Sequence, residues 1–160
     1  MTLRYVYGHD EVVAQFVAQL IPHIREHSNA IGNCKTIGVI DGDGKLIAGL
    51  VYHGYDPPAA TIELTGAALP RSRWLTRETI RRMYSYPFKQ IGVQMVKQYT
   101  PADNELLLGQ LARGGFMFVR VPRWYGPDRD CVICLLTAEE WARNPLYRRV
   151  NRNTEMKEAA

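Results

Sequence analysis

The sequence predicts a single α/β domain, with a mixed, mostly antiparallel central sheet flanked by helices, on three observations. Strand-like alternation and helical spacing take turns along the chain, a pattern that packs helices against a sheet. The segment Asp41-Gly42-Asp43-Gly44 carries two Asp-Gly steps between apolar runs, a strong hairpin signal. The chain has 160 residues, 46% hydrophobic and 22% charged, which suits one proper core and is too short for two domains. The domain is expected over residues 1–150, with 151–160 as a polar tail.

Residues 3–7 alternate as a first strand, which Gly8 breaks. Asp10 is a reasonable cap for an amphipathic helix whose apolar face is Val12, Val13, Phe16, Val17, Leu20, Ile21 and Ile24; Pro22 is placed to kink or divide it. Strands at 36–40 and 46–52 flank the Asp-Gly turn. The turn Asp56-Pro57-Pro58 leads to a strand at 61–65, so three strands form an antiparallel meander. Thr76 is a plausible N-cap for a helix reaching Phe88, in which Ile80, Met83 and Tyr84 are apolar. The pattern continues as strand over 91–99, helix over 104–112, strands over 116–121 and 132–136 joined by a connection at 122–130, and a short helix at 138–144.

No apolar run reaches the roughly 18 residues that cross a bilayer, so a cytoplasmic protein without a membrane partner is expected. The three cysteines, Cys34, Cys131 and Cys134, cannot all pair within one chain, which fits a reducing compartment. On a strand Cys131 and Cys134 point to opposite faces and do not converge on a metal. His23 and His27 are spaced i, i+4 without a third ligand nearby, so no metal site is expected.

The net charge of +4 and pI of about 9.0 favour acidic partners without identifying one. Five arginines fall between Arg71 and Arg82. Arg77, Arg81 and Arg82 suit a solvated helix face, whereas Arg71 and Arg73 lie in the loop itself. In Arg71-Ser72-Arg73-Trp74-Leu75-Thr76 a strand feeds a helix, and the free N–H groups of the first turn, the helix dipole and the guanidinium groups together make an anion site.

The order of elements and these residues resemble the GNAT superfamily of acyl-coenzyme A N-acyltransferases, over about residues 3–136. The family's pyrophosphate loop has the form Q/R-x-x-G-x-G/A. The resemblance therefore implies that Arg71, Ser72, Arg73, Trp74, Leu75 and Thr76 hold coenzyme A, with Arg71 in first place and Trp74 and Thr76 where glycines are usual. Asn104, ahead of a helix that ends at Gly114-Gly115-Phe116, matches the family's later helix, which implies contact with the pantetheine arm or its water; an ordinary N-cap is the alternative.

The resemblance further implies that the fourth and fifth strands part. The backbone of Leu64, Thr65, Gly66 and Ala67 would then bind pantetheine like an added strand. Glu63, on the strand where related enzymes often place a Glu, is the implied base, although alternation equally allows it to face solvent. His53, after the third strand, has a pKa suited to proton transfer at the same mouth. Leu111 stands where many members have a tyrosine that protonates the leaving thiolate, so Tyr99 and Tyr125 are the substitute acids.

The expected function is acetyl transfer from acetyl-coenzyme A to an amine. The style of the sequence also resembles small phage and prophage proteins of this fold, some of which modify DNA bases, and Arg120, Arg123, Trp124, Tyr125 and Arg129 suit a nucleic acid or nucleotide. A non-catalytic coenzyme A-binding module is the third alternative. Segments 24–33 and 122–130 are expected to border the acceptor; whether that acceptor is small or macromolecular, and whether the protein is a homodimer, stay open.

Overall fold

In a computed structural model, which describes residues 2–25 and 32–148, the chain forms one seven-stranded sheet with helices on both faces. The elements are β1 (Arg4–Val6), α1 (Asp10–Leu20), α2 (Pro22–Arg25), β2 (Cys34–Ile40), β3 (Leu46–Asp56), β4 (Thr61–Ala68), α3 (Arg77–Ser85), β5 (Met95–Pro101), α4 (Glu105–Arg113), β6 (Met117–Gly126), β7 (Arg129–Thr137) and α5 (Ala138–Arg143). The sheet order is β1-β2-β3-β4-β5-β7-β6, and β4 with β5 is the parallel pair. Among the described residues no helix is long and apolar enough to cross a membrane.

Period-two alternation sorts the strands onto two faces. On one face Ile37, Leu50, Tyr52, Ile62, Leu64 and Val96 pack with Met83 and Tyr84 of α3, Leu111 of α4 and Tyr147. On the other, Val51 is buried beneath Val13 and Val17 of α1. The Tyr52 hydroxyl donates to the Met83 carbonyl at 2.6 Å, anchoring α3 to the sheet. Cys131 lies opposite Pro101 and Cys134 opposite Gln98, so the two thiols occupy opposite faces as expected, both buried.

Pro22 divides the first helix into α1 and α2, as the sequence allowed, whereas other expected features differ. Asp10 does not cap α1; its Oδ1 instead accepts from the Thr36 N–H at 2.8 Å and the Thr36 hydroxyl at 2.9 Å, tying the helix start to β2. The helix expected to reach Phe88 gives way to a π-helical turn, Tyr86–Ile91, so β5 begins at Met95 rather than at 91. Pro87 has no N–H for the α-helical ladder, and the turn closes with Gly92 N–H donating to the Pro87 carbonyl at 2.9 Å. The expected connection at 122–130 is extended strand on both sides of a tight turn; Pro122 is tolerated because β6 is the sheet edge. His27, most of segment 24–33 and the tail at 151–160 lie outside the described residues.

Two of the helix-face arginines are engaged. Glu78 Oε1 accepts from Arg81 Nη2 at 2.7 Å and Arg82 Nε at 2.8 Å, which holds the Glu78 carboxyl down at about 2 against an ordinary 4.5. A depressed carboxyl stabilises the fold above its unfolded pKa, and that contribution fades as pH falls from 4.5 towards 2. Glu78→Gln is expected to lower stability at neutral pH by under about 1 kcal/mol, since the side chain is 44% exposed, and to flatten the acid limb of a pH series of urea melts.

Candidate active site between β4 and β5

The β4–β5 ladder is short. It pairs Thr61 with Met95, Ile62 with Val96 and Glu63 with Lys97, then stops. Beyond it β4 runs on to Ala68 along β3, and β5 runs on to Pro101 along β7. Each strand keeps its outer partner, so the facing edges present backbone N–H and C=O groups to a gap in the sheet.

A cavity of about 800 Å³ occupies this gap. From the α3–α4 face it is walled by Leu64, Trp74, Leu75, Ile80, Met83, Tyr84 and Leu111; from the α1 face by Leu20, Ile21, Pro22, His53, Glu63, Thr65 and Tyr99. The register fixes that division: His53 lies opposite Glu63 and Val51 opposite Thr65, so these side chains share the face covered by α1. Opening between two strands therefore joins the two faces of the sheet.

His53, Glu63 and Thr65 form a connected group at the edge of the gap. His53 Nδ1 lies 3.6 Å from Glu63 Oε2, and His53 Nε2 is hydrogen-bonded with Thr65 Oγ1 at 2.8 Å. Burial pushes the His53 pKa below its usual 6.5, and the Glu63 carboxylate pulls it partly back. The imidazole is thus neutral near pH 7. Gly54, at φ +58°, leaves room for the carboxylate: a Cβ there would stand 3.2 Å from Glu63 Oε1.

Tyr99 and Tyr125 also line the cavity. Tyr99, two residues beyond Lys97, points to the Glu63 face, and burial followed by the Glu63 charge pushes its hydroxyl pKa up. The Tyr125 hydroxyl accepts from Cys131 Sγ at 3.7 Å, and burial raises its pKa strongly. Both phenols stay protonated at neutral pH.

The β4–α3 junction sits beside the cavity. Thr76 caps α3, its Oγ1 accepting from Thr79 N–H at 3.2 Å, and the Thr79 hydroxyl donates to the Trp74 carbonyl at 2.6 Å. Ser72 turns back to Leu69, its hydroxyl donating to the Leu69 carbonyl at 2.7 Å. The backbone N–H groups of Arg71, Arg73, Trp74, Leu75, Arg77 and Glu78 meet no acceptor among the described residues. Arg71 and Arg73 are exposed and without an acidic partner among those residues, and Arg71 adopts φ 62°. Positive charge and a row of unpaired amides converge at one helix start.

Of the sequence-derived candidates, His53, Glu63, Leu64, Thr65, Gly66, Trp74, Leu75, Tyr99, Asn104 and Tyr125 line the cavity. Ala67, Arg71, Ser72, Arg73 and Thr76 do not: Ala67 packs toward α1, and the other four belong to the junction outside the lining. Trp74, in the usual glycine position, lays its indole against the core and becomes part of the wall. Asn104 takes the N-cap alternative, its Oδ1 accepting from Leu107 N–H at 3.4 Å, and it also borders the cavity. Sequence reasoning missed Gln98, which accepts from the Tyr84 hydroxyl at 3.0 Å, and Tyr147, whose hydroxyl donates to the Gly114 carbonyl at 2.6 Å. Both line the site, and only the apolar spacing around Tyr84 hinted at that wall.

Solved structures of similar shape come from Vibrio cholerae. Mutant forms of the spermidine/spermine N-acetyltransferase SpeG superpose with a TM-score of 0.71 at 12% identity, covering 90% of this chain and 99% of that one. The chain has the GNAT fold. SpeG in complex with manganese ions matches that fold with a TM-score of 0.68 at 12% identity, over 90% of this chain and 96% of SpeG. A dodecameric spermidine N-acetyltransferase in an intermediate state gives 0.66 at 13%, over 90% and 97%. No family model and no curated protein matches the sequence. Trp74 lies in the cavity wall and Leu111, buried, lines the cavity with it.

Proposed function

We propose that the protein is an acetyl-coenzyme A dependent N-acetyltransferase that acts on an amine. The observation that carries this reading is the interrupted β4–β5 ladder with His53 and Glu63 at its edge. Acetyl-coenzyme A, when bound, supplies the activated acyl group as a thioester. The open strand edges suit its amides, and the unpaired N–H groups and guanidinium groups of the junction suit its diphosphate. The cavity of about 800 Å³ is of the size that takes a cofactor arm together with a small acceptor.

Glu63 orients and steadies the acceptor's ammonium group, and neutral His53 takes the proton that the nitrogen must lose before it can attack. The new C–N bond replaces the C–S bond, and a phenol, Tyr99 or Tyr125, gives the sulfur its proton. Leu111 can take no part in that step.

Isothermal titration with acetyl-coenzyme A tests the reading. Binding to the wild type is expected, weakened about tenfold in each of Arg71→Ala and Arg73→Ala, the value of one charge-assisted contact. No heat of binding in the wild type, or unchanged affinity in both variants, removes its basis. Binding without thiol release across a broad panel of amines would indicate a module that has lost turnover.

A further inference from the structure

Resting on the acyl-transfer reading, we infer that the acceptor is a small primary amine carrying an aromatic body, recognised by Tyr99 and Trp124 at the mouth and by Glu63 at its nitrogen. The two rings stack, with centroids 6.2 Å apart and planes 20° from parallel. Both line the cavity on the Glu63 face, yet Trp124 is 54% exposed. An indole held flat at a cavity mouth with one side open is a ready platform for a second ring.

Its placement is not a by-product of regular strand. The β6–β7 register breaks between Val121 and Gly126, and Arg123 takes φ 61°, a conformation that L side chains rarely adopt. Asp130 holds the bulge: its Oδ1 accepts from the Arg123 N–H at 2.9 Å and its Oδ2 from Arg120 Nε at 2.8 Å. Such a bulge re-aims the side chain that follows, here Trp124, onto Tyr99.

The charges lining the cavity point the same way. Glu63 is shared with His53, and Asp103 is paired with Arg129 at 3.4 Å. Glu63 and Asp103 are the carboxylates among the residues that line the cavity. A polycation would need a carboxylate for each ammonium group it buries, whereas one carboxylate facing Leu20, Ile21 and the stacked rings suits one ammonium on an apolar frame.

The test measures thiol release from acetyl-coenzyme A with phenethylamine, n-butylamine and spermidine, alongside titration of acetyl-coenzyme A itself. Phenethylamine is expected to exceed each of the others in kcat/KM by about tenfold, the worth of one ring-on-ring contact. In Trp124→Ala the phenethylamine-to-butylamine ratio should fall towards one through KM, with acetyl-coenzyme A affinity and melting temperature retained. Preference for spermidine, or a ratio untouched in Trp124→Ala, overturns the inference. Acetyl-coenzyme A binding with no transfer to any of the three amines overturns the acceptor assignment alone, whereas no coenzyme binding overturns the acyl-transfer reading with it.

Discussion

Glu63→Gln is expected to lower kcat/KM for amine acetylation by about 30- to 5,000-fold, the cost of leaving a bound charge without its partner, while acetyl-coenzyme A still binds. The amide keeps the shape but can neither balance the acceptor's charge nor polarise His53, which lies 3.6 Å away. His53→Gln is expected to do comparable damage and to change the pH profile as well. Burial outweighs the Glu63 charge in setting the imidazole, so its pKa lies below 6.5 in the folded protein. The acid limb of kcat/KM that His53 contributes should therefore fall below that value, and the His53→Gln variant should lack it. Stability follows with a definite sign. Below 6.5 the unfolded chain takes up a proton that the folded chain resists, so acid favours unfolding. The loss starts near 6.5, is complete once pH passes below the depressed folded value, and disappears in His53→Gln. Thiol-release rates and urea melts across this window are the measurements. Wild-type turnover in both variants would remove Glu63 and His53 from the chemistry.

The strands and helices were legible in the sequence wherever the pattern was local. The Asp41 turn is an example: its Oδ1 accepts from Asp43 N–H at 2.9 Å and Lys45 N–H at 3.0 Å, a short-range bond pattern that Asp-Gly steps announce. The far end of β4 was not legible. Gly66, Ala67 and Ala68 have little strand preference, and they are extended because Leu50, Gly49 and Ala48 of β3 pair with them. The same holds for 122–126, where Pro122 and Trp124 read as loop but the segment continues β6 as a bulge along the edge beside β7.

The candidate site divides along the same line. Glu63, His53 and the arginine-rich junction were visible as residue types in suitable places. Their convergence was not, because it depends on where a parallel ladder stops, and nothing in the local sequence marks Glu63–Lys97 as the last rung. Tyr147 joins the wall from the far end of the described chain through its bond to Gly114, a contact between distant segments that spacing cannot announce.

The second large effect is expected at Gly49→Ala. Gly49 lies opposite Gly38 on β2, and the pair forms a flat patch beneath α1. A Cβ at Gly49 would stand 2.6 Å from Val17 Cγ2 and 2.8 Å from Val13 Cγ1, both on buried side chains with little freedom to retreat. Overpacking of this kind costs about 1–3 kcal/mol, and for a domain of this size each kcal/mol lowers the melting temperature by about 2–4 °C. Relief requires α1 to lift from the sheet. That movement carries Leu20 and Ile21, which line the cavity on the acceptor face, so KM for the amine should rise more than the affinity for acetyl-coenzyme A falls. Val17→Ala removes the nearer of the two clashing methyl groups. If contact with α1 is the cause, the double variant Gly49→Ala/Val17→Ala should be more stable than the sum of the single losses predicts, the signature of two residues sharing one space. Calorimetric melts of the four proteins, with amine KM measured on each, give both readouts. A Gly49→Ala variant as stable as the wild type would mean that α1 does not rest on this glycine pair, and the acceptor face would then need another support.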